Sequence, residues 1–157
     1  MRENKNLKSI KIRKLRVKDI PQIVGIQEAI TKAKVSPKMK AILKEHILKE
    51  GNISVVALWE GQILGFIISE IMTNSFGIDQ GGWIQNLGVD PKHMGEGIGQ
   101  TLATHLFEAY KKKKILEIYT AVRWDSVDML SFFKAIGFDR SNFINLYKKL
   151  DEDSIKK

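Results

Sequence analysis

Between Met94 and Gln100 the chain reads Met-Gly-Glu-Gly-Ile-Gly-Gln, and Ile98, Leu102, Leu106, Ala109 and Tyr110 then recur near helical spacing. Three glycines at alternate positions let a backbone turn tightly and aim successive N–H groups outward, and a helix start behind them adds unpaired N–H groups and the positive end of its dipole. That combination suits a pyrophosphate. It is neither a P-loop, which needs Gly-x-x-x-x-Gly-Lys-Ser/Thr, nor a dinucleotide Gly-x-Gly-x-x-Gly, because position 100 is glutamine; taken alone it also reads as a tight turn between strand and helix. Other groups with chemical capacity are scattered. Glu70 ends an apolar strand and reads either as a base acting through water or as an edge carboxylate, and Asp125 and Asp128 read as charges at a helix start. His93 lies in the glycine loop, where it either touches phosphate or is solvated. His46 and His105 fall in helices, and no spacing among the three suggests a metal site.

Composition narrows the chemistry further. The 157 residues contain Cys 0, which excludes disulfides, thiolate metal sites and a covalent cysteine intermediate. Lys+Arg 26 against Asp+Glu 18 gives a net charge of +8, which favours polyanionic partners such as nucleic acid, anionic lipid or a phosphorylated cofactor. Much of this charge is local: residues 2 to 18 hold eight basic side chains, and Lys111 to Lys114 run unbroken. The first residues lack the apolar core of a secretory signal, and no apolar stretch approaches the ~20 residues that span a bilayer. The expectation is a cytoplasmic protein without a membrane partner.

The elements that must position the glycine loop alternate along the chain. A basic strand around Ile10–Leu15 precedes a helix capped by Asp19, and Ser36-Pro37 starts a second helix with the stripe Met39, Ile42, Leu43, Ile47. Residues 53–59 and 62–72 read as a hairpin turning at Glu60-Gly61, and 73–82 as a polar loop. Residues 83–89 make a strand closed by Asp90-Pro91. After the glycine loop and its helix come a strand at 115–122, a helix from Ser126 to Ile136 stopped by Gly137, and a last strand at 143–150. Nothing marks a repeat or linker, so residues 1–157 read as one domain with a core of about 10–150 and basic tails.

Val89-Asp90-Pro91-Lys92-His93-Met94-Gly95-Glu96-Gly97-Ile98-Gly99, followed some thirty residues later by Phe132-Phe133-Lys134-Ala135-Ile136-Gly137-Phe138, resembles the GNAT N-acetyltransferase superfamily. The resemblance implies an α/β (α+β) fold: a mixed, mostly antiparallel sheet of about 6–7 strands, flanked by about four helices, whose central strands splay apart. It implies acetyl-CoA as co-substrate, bound by Leu87, Gly88 and Val89 on the central strand, by Gly95, Glu96, Gly97, Ile98, Gly99 and Gln100 in the loop, and by Ser126 and Phe133 beside the pantetheine arm. The implied reaction is direct acetyl transfer to a primary amine of a small molecule, peptide or protein. Val89 N–H would stabilise the oxyanion and Glu70 would serve as base, with no metal. Residues 31–40 and 73–82 would wall the acceptor pocket, and a homodimer is left open.

Four features depart from the family pattern. Met94 stands where Arg or Gln is usual, Phe133 where many members carry a tyrosine acid, Ser126 where many carry an asparagine, and residues 83–89 contain no carboxylate. A thiol of pKa about 8.5 leaves tolerably without an acid, whereas an ammonium of pKa ~10.4 needs a base more than one near ~7.7–8.0. A weakly basic amine is therefore the favoured acceptor. The alternative reading is a non-catalytic module that binds acyl-CoA or nucleic acid; such a module would release no thiol on adding an amine, and nucleic-acid affinity would fall steeply with salt.

Overall fold

The computed structural model describes residues 9–75 and 78–154. Close contacts group them into two compact units, one running to Thr120 and one starting at Ala121. The first holds β1 (Lys11–Lys14), α1 (Ile20–Thr31), α2 (Pro37–Leu48), β2 (Val55–Trp59), β3 (Gln62–Ser75), β4 (Ile78–Val89), α3 (Ile98–Lys112) and β5 (Ile118–Thr120). They form one sheet in the order β1-β2-β3-β4-β5, antiparallel throughout except for the parallel β4–β5 pair. The second unit holds α4 (Val127–Ala135) and a short turn of helix at Glu152–Ser154.

Local chemistry accounts for these boundaries. Ser36 caps α2 by accepting from Met39 N–H at 3.1 Å, with Pro37 preset at the first helical position. Asp19 occupies the corresponding position before α1 without capping it, because its carboxylate is taken by the Arg13 guanidinium at 2.7 and 2.8 Å and by Arg16 N–H at 2.8 Å. At the β2–β3 turn Glu60 has φ 49 and Gly61 φ 78, the paired left-handed conformation of a tight hairpin.

Adjacent residues on β3 show how the layers form. Phe66 joins Leu15, Ile23, Ile26, Ile47 and Ile68 in a buried core under α1 and α2. Gly65, one position earlier, faces Ile98 and Leu102 of α3 on the other side of the sheet. Tyr110, fully buried, ties α3 to β3 by donating toward Ser69 Oγ and the Glu70 carbonyl, each 3.0 Å away. Burial pushes its phenol above the ordinary value, with the neighbouring Glu70 charge acting in the same direction.

Two expectations are corrected. Residues 73–75 and 78–82 are not a loop: β3 and β4 pair through Thr73↔Gln80 and Ser75↔Ile78, so polar residues simply continue the ladder, and residues 76–77 of the expected loop lie outside the described residues. Residues 143–150 form no strand, and among the described residues the sheet has five strands instead of about 6–7. Alternating side chains specify a strand only when a neighbouring edge accepts its backbone.

Candidate active site

The site grows from an irregularity in β4. Ser69 pairs with Ile84 and Ile68 with Asn86, so Gln85 is an extra residue and the pairing parity flips across it. Before the bulge, Gly82 N–H donates to the Glu117 carbonyl at 2.8 Å and the Ile84 carbonyl accepts from Thr120 Oγ1 at 3.0 Å, so even-numbered residues face β5. After it, Asp90 N–H donates to the Leu64 carbonyl at 2.8 Å, so even-numbered residues face β3. Backbone groups alternate in direction, and Leu87 and Val89 therefore present their N–H and C=O toward the side where β5 has stopped. β5 meets β4 only from Gly82 to Ile84. The sheet opens beyond that point, leaving a strip of strand edge able to hydrogen-bond an extended ligand.

Gly88, between them, has a second duty. A Cβ there would stand 2.8 Å from the Phe66 ring and 3.2 Å from Ile30 Cδ1, so glycine lets the strand lie close under α1.

Past Val89, Asp90 caps a short turn at Pro91–His93 through Lys92 N–H at 3.0 Å. Gly95 and Gly97 then take φ 80 and φ 82, which bends the chain into α3. The first backbone bond across the helix start is Thr101 N–H to the Gly97 carbonyl at 3.1 Å. The N–H groups of Ile98, Gly99 and Gln100 consequently have no partner within the helix. Loop, dipole and orphan donors together have the chemistry that suits an anion. Glu96 is the one unfavourable charge in it; its Oε2 lies 3.4 Å from His93 Nδ1, so a protonated His93 would offset it. Met94, half-exposed, offers no donor where the family usually has one.

Glu70 lies on β3 away from this loop. Its Oε1 accepts from Gln85 Nε2 at 2.8 Å, and its Oε2 is 3.5 Å from Lys49 Nζ and 3.8 Å from His46 Nδ1. His46 and Gln85 also line a cavity of about 330 Å³ between α1, α2 and the β3–β4 surface, walled by Val35, Met39, Ile42 and Leu43. Of the expected acceptor walls, Val35 and Met39 of 31–40 contribute here and none of 73–82 does. The sequence reading placed His46 in a helix and gave it no role: its nearness to Glu70 depends on α2 lying along β3, which helical periodicity alone does not register.

In the second unit, Ser126 precedes α4 without a side-chain cap bond, and its N–H donates to the Arg123 carbonyl at 3.0 Å. Phe133 is 5% exposed and packs edge-on against Phe132 and Phe138, with ring centres 5.4 and 5.0 Å apart. Asp125 is engaged by Arg123 at 3.0 and 2.9 Å, which holds its carboxyl below the ordinary value.

Comparison with known proteins agrees with this geometry. The [ribosomal protein bS18]-alanine N-acetyltransferase of Escherichia coli (strain K12) is 24% identical over 98 residues, which are 60% of this chain. The match spans 62% of that curated relative's own length. Among solved structures, an aminoglycoside acetyltransferase from an uncultured soil metagenomic sample, in complex with trehalose, superposes with a TM-score of 0.79 at 23% identity, covering 92% of this chain and 99% of that one. The aminoglycoside N-acetyltransferase AAC(6')-Iy in complex with CoA gives 0.76 at 16% identity, covering 89% and 94%. These likenesses show the fold. The family description "Acetyltransferase (GNAT) family" matches residues 20–138, from α1 through α4, and the chain belongs to that family.

Proposed function

We propose that the protein transfers an acetyl group from acetyl-CoA directly to a primary amine. The observation that carries this reading is the opened edge of β4, where Leu87 and Val89 direct backbone groups into the gap left by β5 and the same strand runs into the glycine loop and α3. In this reading Val89 N–H would stabilise the thioester oxygen as it gains charge under amine attack, and Gly95, Glu96, Gly97, Ile98, Gly99 and Gln100 would supply the backbone that holds the pyrophosphate. The donors fit an extended polyanionic co-substrate even without a side chain from Met94. Assignment of Ser126 and Phe133 to the cofactor rests on the family match alone, which extends to residue 138.

In this reading Glu70 would act on the acceptor through its neighbour His46, at the cavity under α2. Glu70 Oε2, 3.8 Å from His46 Nδ1, would hold the ring with Nε2 free to take a proton from the acceptor, which then attacks the thioester as the neutral amine. The carbon–sulfur bond breaks as the carbon–nitrogen bond forms, and CoA leaves as thiolate. One catalytic domain, cytoplasmic residence, assembly as a homodimer and the lack of a nucleic-acid partner belong to the same proposal. The family match across both units supports the first of these, one catalytic domain.

Gly97→Asp tests the co-substrate assignment. It places a Cβ and a negative charge where φ is 82 and backbone must meet phosphate, so acetyl-CoA affinity by calorimetry should fall at least ~tenfold with the circular dichroism intact. An unchanged dissociation constant in a folded variant would sink the assignment.

A further inference from the structure

The cavity under α2 is amphiphilic, and its two ends have different chemistry. Val35, Met39, Ile42 and Leu43 make its helical wall apolar, while His46, Gln85 and Asn86 bring polar atoms to the side closed by the sheet. Each amide uses an N–H internally: Gln85 Nε2 donates to Glu70 at 2.8 Å and Asn86 Nδ2 donates to Gln27 Oε1 at 2.7 Å. Their carbonyl oxygens can serve a ligand as acceptors. His46 Nε2 is buried and has no hydrogen-bond partner among the described residues. A neutral imidazole nitrogen left so is also an acceptor in need of a donor. The polar end thus suits one group rich in N–H donors, as an amine is.

The same lining disfavours a ligand with many charges. Among the described residues that line the cavity none is acidic. The nearest carboxylate, Glu70, is already bonded to Gln85 and lies 3.5 Å from Lys49 Nζ. Glu28 of α1 is 3.6 Å from Lys34 Nζ. Each further ammonium brought to this wall would lose water without gaining a counter-charge, on a chain whose own net charge is +8.

We propose that the acceptor is an amine with a single charge carried on an apolar body, and that this class is preferred over polycationic aminoglycosides. The inference rests on the acetyl-transfer reading and names its acceptor. The apolar body lies between α1 and α2, and the amine meets His46 and the carbonyl oxygens of Gln85 and Asn86.

Thiol release from acetyl-CoA, measured with 2-phenylethylamine, leucinamide and kanamycin, tests the proposal together with Met39→Glu. Met39 sits three residues after the Ser36 cap, where glutamate completes a capping box, so this variant should fold while placing a carboxylate on the apolar wall. For the unaltered protein, kcat/KM should be at least ~tenfold higher with the two monoamines than with kanamycin, and Met39→Glu should shrink that ratio at least ~tenfold while leaving CoA affinity unchanged. Preference for kanamycin, or a ratio that Met39→Glu does not move, overturns the proposal. If no amine releases thiol although CoA binds, the transfer reading fails on its own. Calorimetry of the same three amines then decides the cavity's preference: tighter binding of the monoamines upholds it, and tighter binding of kanamycin removes it.

Discussion

Asp19 shows how a single buried carboxylate is kept charged. Its side chain is 3% exposed, and burial alone would raise its pKa; the Arg13 fork, the Arg16 N–H and the charges of Arg13 and Lys18 outweigh that and hold it below the ordinary carboxylate value. A depressed folded-state pKa contributes stability that is fully present above the unfolded value near ~3.9 and is lost as pH falls through the folded value. Asp19→Asn removes this contribution, since the amide cannot accept from the guanidinium in the same way. Urea unfolding should show the variant less stable at pH 7 by about 1–3 kcal/mol, with a gap that narrows below pH ~4. A constant gap from pH 7 to pH 3 would mean that the pair with Arg13 is not the source. Glu70 is likewise held by several partners at once, Gln85, Lys49 and His46.

Turns and bulges decide whether the elements meet in register. The β2–β3 turn places Glu60, a residue with a Cβ, at φ 49, where a left-handed conformation costs an ordinary side chain roughly 1 kcal/mol. Asn is favoured before Gly in such turns, so Glu60→Asn should stabilise the protein by about 0.5–1 kcal/mol, read as a rise in the calorimetric Tm without loss of thiol release. A lowered Tm would mean that Glu60 makes a compensating contact. This turn was legible from the sequence, as were the Ser36-Pro37 helix start, the strand ending at Val89 and the glycine loop, because each is written in local residue chemistry. The Gln85 bulge was not. Nothing in Trp83-Ile84-Gln85-Asn86 marks an extra residue, since a bulge is defined by the partner strand and by what packs on both faces. Residues 143–150 erred in the opposite sense: Ile144, Leu146 and Lys148 alternate with Asn145 and Tyr147 in a strand-like rhythm, yet the segment forms no strand. The opening beside β4 came from family resemblance, and the structure supplies its physical basis in a β5 of three residues that stops opposite Ile84.

At the scale of the whole molecule, charge and composition constrain the order of events. The lysine run closes α3, with Lys111 and Lys112 in its last turn, where cations complement the dipole; much of the +8 is thus structural or solvated. The remainder can assist a polyanion only over a screened range of about 8–10 Å, so CoA should weaken modestly with added salt. With Cys 0, the chain has no thiol to carry an acetyl group between substrates. On the proposed reading the two ligands have separate places to bind, the strand edge and glycine loop for one and the cavity under α2 for the other. Both would then be bound before the amine meets the thioester. Initial rates measured against acetyl-CoA at several fixed amine concentrations should give reciprocal plots that intersect. Parallel lines would require an acetyl-enzyme on oxygen or nitrogen and would overturn direct transfer. Pre-mixing the protein with acetyl-CoA alone separates the two cases a second way: a ternary mechanism releases no stoichiometric burst of thiol before amine is added, whereas an acetyl-enzyme releases about one equivalent per site.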